Sequence, residues 1–299
     1  MFERLLRNGA TLWLTALAVV VLGALWQVSG AAAPGPPPPP KDADYGPLPE
    51  GVAHVLELKA QAYAARALRF TCREVRRRAK YSGNEATSES GDVFDYLLAR
   101  ADEDPTRLIA LRAAPGDPGS KRVVDAGSPE PFEWTQLFAA GPRSVVRWHI
   151  AGRAERDGRR RILVDWLGMG PVLQRDRLPE WTGRIEIEDV TGNLLELTAK
   201  PNRQDAMIEA KRLEWQQAFN FLGLHLDRKN RPIGWELAVS FYEDHEGFTY
   251  PSRVELLKFM QYGPDRDDRR LMTRETSEFQ AYRFFGTATK EEIPPLRVP

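Results

Sequence analysis

The side chains of this 299-residue chain that could do chemistry are scattered rather than gathered in a motif. The Cys-x-x-Cys, His-Glu-x-x-His and Gly-x-Ser-x-Gly patterns of redox, zinc and nucleophile sites do not occur. Gly168-Met169-Gly170 lacks the third glycine of a dinucleotide-binding loop. No pair among the four histidines has a spacing that places two metal ligands on one local element: His54, His149, His225 and His245. The sequence therefore predicts no catalytic residue, no metal site and no cofactor, and a protein that is not an enzyme.

Two groups of acidic residues have both a chemical and a structural interpretation. Glu186 and Glu188 share one face of a predicted strand, where paired carboxylates could serve as acid and base. Because the opposite face of that strand is apolar, we expect them to form its solvated face instead. The segment 265–270 offers three aspartates to a calcium ion, but its three arginines favour a solvated turn.

The beginning of the chain has the layout of an export signal. Arg4 and Arg7 precede an apolar run at 12–26, and small residues follow at 29–33. We predict a secretory signal peptide at 1–31, cleaved near Ala31, and a periplasmic location. The apolar run is at the lower edge of what crosses a bilayer, so an uncleaved anchor in the inner membrane is the alternative.

The rest of the chain divides into a linker and a domain. Five consecutive prolines predict an extended, Pro-rich linker over 32–49, and residues 50–299 are expected to form a single domain. The 42 basic and 42 acidic residues leave no net charge to steer the chain toward nucleic acid. Membrane contact is therefore expected to be transient or made through an uncleaved signal. Cys72, the only cysteine, can form no internal disulfide, and we expect it to be buried and unreactive.

Period-two alternation of apolar residues from Phe70 onward predicts half-buried strands. Asp157-Gly158 favours a tight turn because both positions tolerate positive φ. Similar turn sequences mark two further hairpins. The predicted hairpins span 144–167, 181–201 and 235–262, and a last long strand spans 271–287.

Helical spacing of apolar residues predicts one helix over 51–68, which presents a single apolar stripe to a sheet. A short helix is predicted over 131–140, and a helix or an ordered insertion over 204–221. The predicted fold class is mainly β (α+β), with an antiparallel sheet.

One face of this sheet is predicted to bind a ligand. Residues two apart on a strand share a face, so His149 is opposed to its apolar neighbours. The strands carry so many large apolar side chains that helices or a ligand must cover them. The predicted ligand-binding residues on the concave face are Val146, Trp148, Ile150, Ile185, Ile187, Trp235, Leu237, Val239 and Phe241.

Three short stretches resemble a known family. They are the hairpin around Asp189-Val190-Thr191-Gly192-Asn193, the strand opening at Tyr250-Pro251, and the closing sequence 282–293. These resemble the periplasmic lipoprotein-localisation carrier (LolA/LolB-like) superfamily, nearest to uncharacterised exported bacterial proteins of the outer-membrane-lipoprotein-sorting type. The resemblance covers 70–293 at most. It implies a curved antiparallel sheet forming an incomplete barrel covered by helices, whose concave side takes acyl chains.

The leading functional hypothesis is therefore a periplasmic binding or carrier protein for an apolar ligand, such as a lipid or a lipoprotein acyl chain. The alternative is a membrane-tethered envelope sensor or protein-interaction domain whose core is filled by its own side chains. An exported hydrolase with an unfamiliar site comes third. An envelope protein is a further predicted partner.

Overall fold

The computed structural model describes residues 45–65, 70–83, 85–100, 108–116, 131–132, 136–138, 146–168, 181–202, 204–222, 231–261 and 268–285. All of them belong to the compact unit Pro40–Pro299. The predicted signal peptide at 1–31, most of the predicted linker, and residues 265–267 and 286–293 lie outside the described residues. Within these ranges, no helix is long and apolar enough to cross a membrane.

The described residues form ten strands of one antiparallel sheet. The strands are β1 (Phe70–Ser82), β2 (Glu85–Arg100), β3 (Leu108–Ala113), β4 (Arg147–Arg156), β5 (Arg159–Gly168), β6 (Trp181–Glu188), β7 (Leu194–Pro201), β8 (Ile233–His245), β9 (Phe248–Gln261) and β10 (Arg269–Phe284). Their order in space is β3-β2-β1-β10-β9-β8-β7-β6-β5-β4. The sheet is curved and open, an incomplete barrel whose two edges are β3 and β4. This confirms the predicted fold class, the three hairpins and the last long strand.

Tight turns join the strands of the predicted hairpins. Asp157 and Gly158, between β4 and β5, have φ values of 54° and 71°. Glu246 and Gly247, between β8 and β9, have φ values of 52° and 78°. Two successive positive φ values match the right-handed twist of the flanking strands. The Asp-Gly sequence predicted the first of these turns for this reason.

Helix α1 (Glu50–Ala65) covers one end of the sheet. It is the predicted helix over 51–68, and residues 66–68 lie outside the described part. Lys59 donates a hydrogen bond of 2.7 Å from Nζ to Oδ1 of Asn193, in the turn between β6 and β7. The hydroxyl of Tyr63 donates one of 2.5 Å to the carbonyl of Thr249 in β9. The helix therefore packs against the end of the sheet that carries these turns.

The insertion predicted over 204–221 is a helix, α2 (Gln204–Leu222). Its first residue accepts a hydrogen bond of 2.6 Å at Oε1 from the backbone N–H of Trp235, which fixes the helix start beside β8. Only parts of the helix predicted over 131–140 are described. Residues 136–138 form one short 3₁₀ turn there.

The β4 edge of the sheet is paired with the segment that precedes α1. The backbone N–H of Gly46 donates to the carbonyl of Trp148 at 2.8 Å, and the N–H of Trp148 donates back at 2.7 Å. The ring of Tyr45 lies 6.2 Å from that of His149. These two bonds protect part of an edge strand that would otherwise present unpaired backbone groups.

Candidate functional site

The nine residues predicted for the concave face lie on one side of the sheet. Ile150 and Trp235 are half-buried and pack against the core, and the other seven are members of the buried apolar cluster. Ile185, Ile187 and Phe241 are each 0% exposed. All nine therefore belong to the core or pack against it, and their place on a ligand-binding face stays a prediction.

Cross-strand pairing arranges the concave face in rows. We call one of them the Trp148 row, in which each residue pairs with the next across neighbouring strands: Trp148, Trp166, Gly183, Ala199, Leu237, Leu256, Glu275 and Arg78. Directly paired residues lie on the same face of a sheet. The Trp148 row is apolar from β4 to β9 and becomes charged on β10 and β1.

A second row, the deep row, lies one step nearer to α1. Its members are Ile150, Val164, Ile185, Leu197, Val239, Val254, Ser277 and Arg76. The rim row lies one step away from α1 and holds Trp181, Trp235, Lys258, Thr273 and Lys80. Polarity on this face therefore rises in two directions, toward the rim and toward β1.

Strand β1 shows the change in polarity along its own length. Phe70 and Cys72, near α1, are buried apolar residues. Glu74 and Arg76 follow on the same face and are also buried. Arg78 comes next and is exposed, with its guanidinium 2.7 Å from Oε2 of Glu275. The interior thus passes from apolar through buried charge to solvated charge.

Glu74 is the centre of a buried ionic cluster that the sequence analysis missed. Its side chain is 0% exposed, and Arg112 lies 2.5 Å from Oε2 with a side chain that is 2% exposed. Arg76 lies 3.1 Å from Oε1, and the hydroxyl of Ser277 donates to the same oxygen at 2.8 Å. One carboxylate therefore holds two guanidinium groups inside the sheet. Alternation from Phe70 and Cys72 would have placed Glu74 and Arg76 on the inner face.

The rim combines aromatic and basic side chains. The ammonium of Lys258 lies 4.8 Å from the ring centre of Trp235, a cation–π geometry. Lys80 is exposed, and both Trp235 and Lys258 are half-buried. An apolar surface bordered by cations suits the junction between a hydrocarbon chain and a polar or anionic group.

The outward face carries cross-strand ion pairs, and this corrects the prediction for Glu186 and Glu188. Both side chains are only 18% exposed. Glu186 accepts a hydrogen bond of 2.5 Å from Arg161, whose side chain is 1% exposed. The guanidinium of Arg159 lies 3.8 Å from Glu188. The two glutamates are on the polar face as predicted, but they neutralise arginines instead of being freely solvated.

Among the described residues, two depressions open on the outward face. One of about 510 Å³ is lined by residues that include Arg77, Arg253 and Arg274. Glu255 pairs with both Arg253 and Arg274, so this surface is polar and ion-paired. The other, of about 400 Å³, is lined by charged side chains such as Arg73 and Asp95 together with apolar ones such as Leu97 and Leu111.

Cys72 is buried as predicted. Burial raises the pKa of its thiol well above the ordinary value and outweighs the hydrogen bond with Tyr282, which favours the thiolate. The folded protein therefore keeps the thiol neutral at a pH where the unfolded chain, with a cysteine pKa of about 8.5, has lost the proton.

We expect this difference to appear as a stability loss at high pH. Above about pH 8.5, the Cys72 contribution to the free energy of unfolding should fall by about 1.4 kcal/mol per pH unit. Urea unfolding of the wild type and of Cys72→Ala from pH 7 to 10 measures it as a shrinking difference between the two. A constant difference, or fast native labelling by a thiol reagent, would contradict the buried neutral thiol.

Within the described part of the chain, no group of three or more His, Cys, Asp or Glu residues could hold a metal ion. The architecture and the concave face define the class of protein: an open antiparallel half-barrel, covered by a helix at one end, with an apolar interior and a basic rim.

The chain matches no family model and no curated protein sequence. Among solved structures it is similar to a DUF1329 family protein from Desulfovibrio piger, at 8% identity and a TM-score of 0.39, covering 78% of this chain and 91% of that one. It is also similar to a protein domain from Vibrio parahaemolyticus described as outer membrane lipoprotein-sorting, at 8% identity and a TM-score of 0.37, covering 78% and 93%.

A third similar structure is a LolA superfamily protein from Nitrosomonas europaea, at 8% identity and a TM-score of 0.31, covering 77% of this chain and 96% of that one. The structural neighbours thus include the kinds of protein that the sequence resemblance named. At this identity and these TM-scores the likeness assigns no function. The function must follow from the chain's own side chains.

Proposed function

We propose that this protein is a non-enzymatic binding or carrier protein of the cell envelope for an amphipathic ligand with an acyl chain. The observation that supports it most is the Trp148 row, which is apolar over six strands and ends in the charged pair Glu275 and Arg78. We expect the hydrocarbon chain of the ligand to lie along the deep row and its polar head group to lie at the basic rim. The export signal predicted at 1–31 would bring the protein to the periplasm, where such lipids are exchanged.

Burial of apolar area would provide the binding free energy. In this conformation the apolar side chains of the deep row belong to the buried core, except Ile150, which is half-buried and packs against it. A ligand would therefore have to replace contacts among these side chains. Trp235 is half-buried at the rim and packs against the same cluster, so we expect it to be the first large side chain that an entering chain meets.

Near-complete burial also favours a second function. Side chains such as Ile185, Ile187 and Phe241, at 0% exposure, already fill the interior. In that case the half-barrel would be a rigid support, and the protein would act as an envelope sensor or interaction domain without a lipid ligand.

Ligand analysis distinguishes the two functions. Protein exported with its native signal and purified without detergent should release lipid that mass spectrometry detects, and it should bind a fluorescent fatty acid. Trp235→Ala should weaken that binding by about tenfold, because its contact area corresponds to roughly 1.5 to 3 kcal/mol.

Glu278→Ala is the matched control, because Glu278 lies on the outward face and its side chain is 39% exposed. It should leave the affinity for the probe unchanged. A wild-type protein that carries no lipid and binds no probe would refute the carrier function.

A further inference from the structure

We propose that the indole N–H of Trp148 donates a hydrogen bond to the carbonyl oxygen of the bound acyl chain, so that the site selects esters, amides or acids over plain hydrocarbons. This inference rests on the proposed function and names the chemical group that the site would recognise. It gives a specific role to one residue of the concave face.

The observation behind it is a buried donor. Trp148 is 2% exposed, and its Nε1 atom is buried without a hydrogen-bond partner among the described residues. Native proteins pair nearly all such donors, because a buried N–H that has lost its water bonds and gained no acceptor is destabilising. An acceptor at this position is therefore expected in the functional state.

The rest of Trp148 is held firmly. Its backbone N–H and carbonyl both bond to Gly46, at 2.7 and 2.8 Å. Its ring stacks on Phe138, with centroids 5.5 Å apart and planes inclined by 21°. The neighbouring Trp166 differs, because its Nε1 lies close to the backbone of β6. A Cβ added to Gly183 would be only 2.9 Å from that nitrogen. Trp148 is thus a positioned donor whose backbone groups are already satisfied.

The position in the sheet matches the chemistry of an acyl lipid. In such a molecule the carbonyl separates the hydrocarbon chain from the head group. Trp148 occupies the middle of three rows, with Ile150 one step deeper on the same strand and with Trp181, two strands away on β6, in the rim row. If the hydrocarbon chain of the lipid lies along the deep row and its head group lies at the rim, its carbonyl comes to the level of Trp148.

Two probes that differ in the carbonyl test this role. The first is the methyl ester of 12-(1-pyrenyl)dodecanoic acid, and the second is 1-dodecylpyrene, which has the same ring and chain length without the ester. Trp148→Phe keeps an aromatic ring that can stack on Phe138 and removes the N–H. We expect it to weaken ester binding by about tenfold, while the affinity for the alkyl probe changes by less than about twofold.

Two control variants separate the hydrogen bond from packing. Trp235→Phe makes the same chemical change at the rim, and Phe138→Leu removes the ring that stacks on Trp148 without removing a donor. Each should lower the affinity for both probes by the same factor. Circular dichroism of all variants checks that the sheet is retained.

A second readout uses the wild-type protein and needs no variant to fold. In a ¹⁵N-labelled sample, the Trp148 indole proton should move downfield on addition of the ester and stay in place with the alkyl probe. Its resonance is identified by its loss in Trp148→Phe, or by elimination from the other tryptophan variants.

The outcomes separate this inference from the proposed function. Suppose that both probes bind the wild type, but Trp148→Phe changes the affinity for the two probes by the same factor or not at all. If the indole proton also does not respond to the ester, the hydrogen bond is refuted and the carrier function stands. If neither probe binds the wild type, the carrier function fails and this inference fails with it.

Discussion

Replacing Glu74 with alanine is expected to lower the free energy of unfolding by about 3 to 5 kcal/mol. Glu74 is 0% exposed and accepts hydrogen bonds from Arg112, Arg76 and Ser277. Without the carboxylate, two buried guanidinium groups lose the negative charge that they share. Because the desolvation of those cations persists in the folded state, the loss exceeds that of an ordinary ion pair. Equilibrium unfolding in urea measures it.

Glu74→Gln and Glu275→Gln are the informative companions. Glu74→Gln keeps the size and one acceptor oxygen for Ser277, so any loss it shows comes mainly from the missing charge. Glu275 pairs with Arg78, whose side chain is 55% exposed, and exposed pairs contribute only about 0 to 1 kcal/mol. A Glu74 variant that loses no more stability than Glu275→Gln would show that the cluster does not depend on its carboxylate.

The cluster around Glu74 shows what local sequence patterns predict and what they do not. Alternation from Phe70 correctly predicts which face of β1 holds Cys72, and the same rule puts Glu74 and Arg76 on that face. It does not say that the face is covered at this point. Burial of Glu74 depends on Arg112 from β3 and Ser277 from β10, which lie 38 and 203 residues away along the chain. Such pairings follow from register and strand order, which local periodicity does not contain.

Hairpins were predictable because their determinants are local. Asp157-Gly158 fixes a tight turn, and that turn fixes the register of β4 against β5 as far as Gly152 opposite Leu163. Beyond that point a bulge shifts the register by one residue, so Trp148 comes opposite Trp166. The bulge between Ile150 and Gly152 was not predictable from alternation. Gly152, at a φ of 145°, is the residue that permits it.

The polar anchoring of α1 could not be derived from its sequence alone. Helical spacing places Lys59 in the stripe that faces the sheet, where the pattern predicts an apolar residue. The structure satisfies its ammonium with Asn193, and the ring of Phe248 lies 4.3 Å below it. The length of the lysine side chain lets a buried position reach a polar turn.

Phe241→Ala is expected to have the second large effect, and it distinguishes a carrier from a filled core. Phe241 is 0% exposed, and truncating a buried phenylalanine costs about 3 to 5 kcal/mol through lost contacts and a cavity. Both functions predict this loss in thermal or urea unfolding. They differ in whether the folded protein binds the fluorescent fatty acid.

For a carrier, the probe binds the folded wild type and raises its melting temperature, because binding to the native state alone stabilises it. Phe241→Ala would then lower the affinity for the probe by about tenfold or more. A given probe concentration would accordingly raise the melting temperature of the variant by less. For a filled core, the melting temperature of the wild type is indifferent to the probe, and the variant is simply less stable. A destabilised Phe241→Ala beside a wild-type protein that neither carries lipid nor responds to the probe would therefore assign the interior to self-packing and leave the sensor or interaction function.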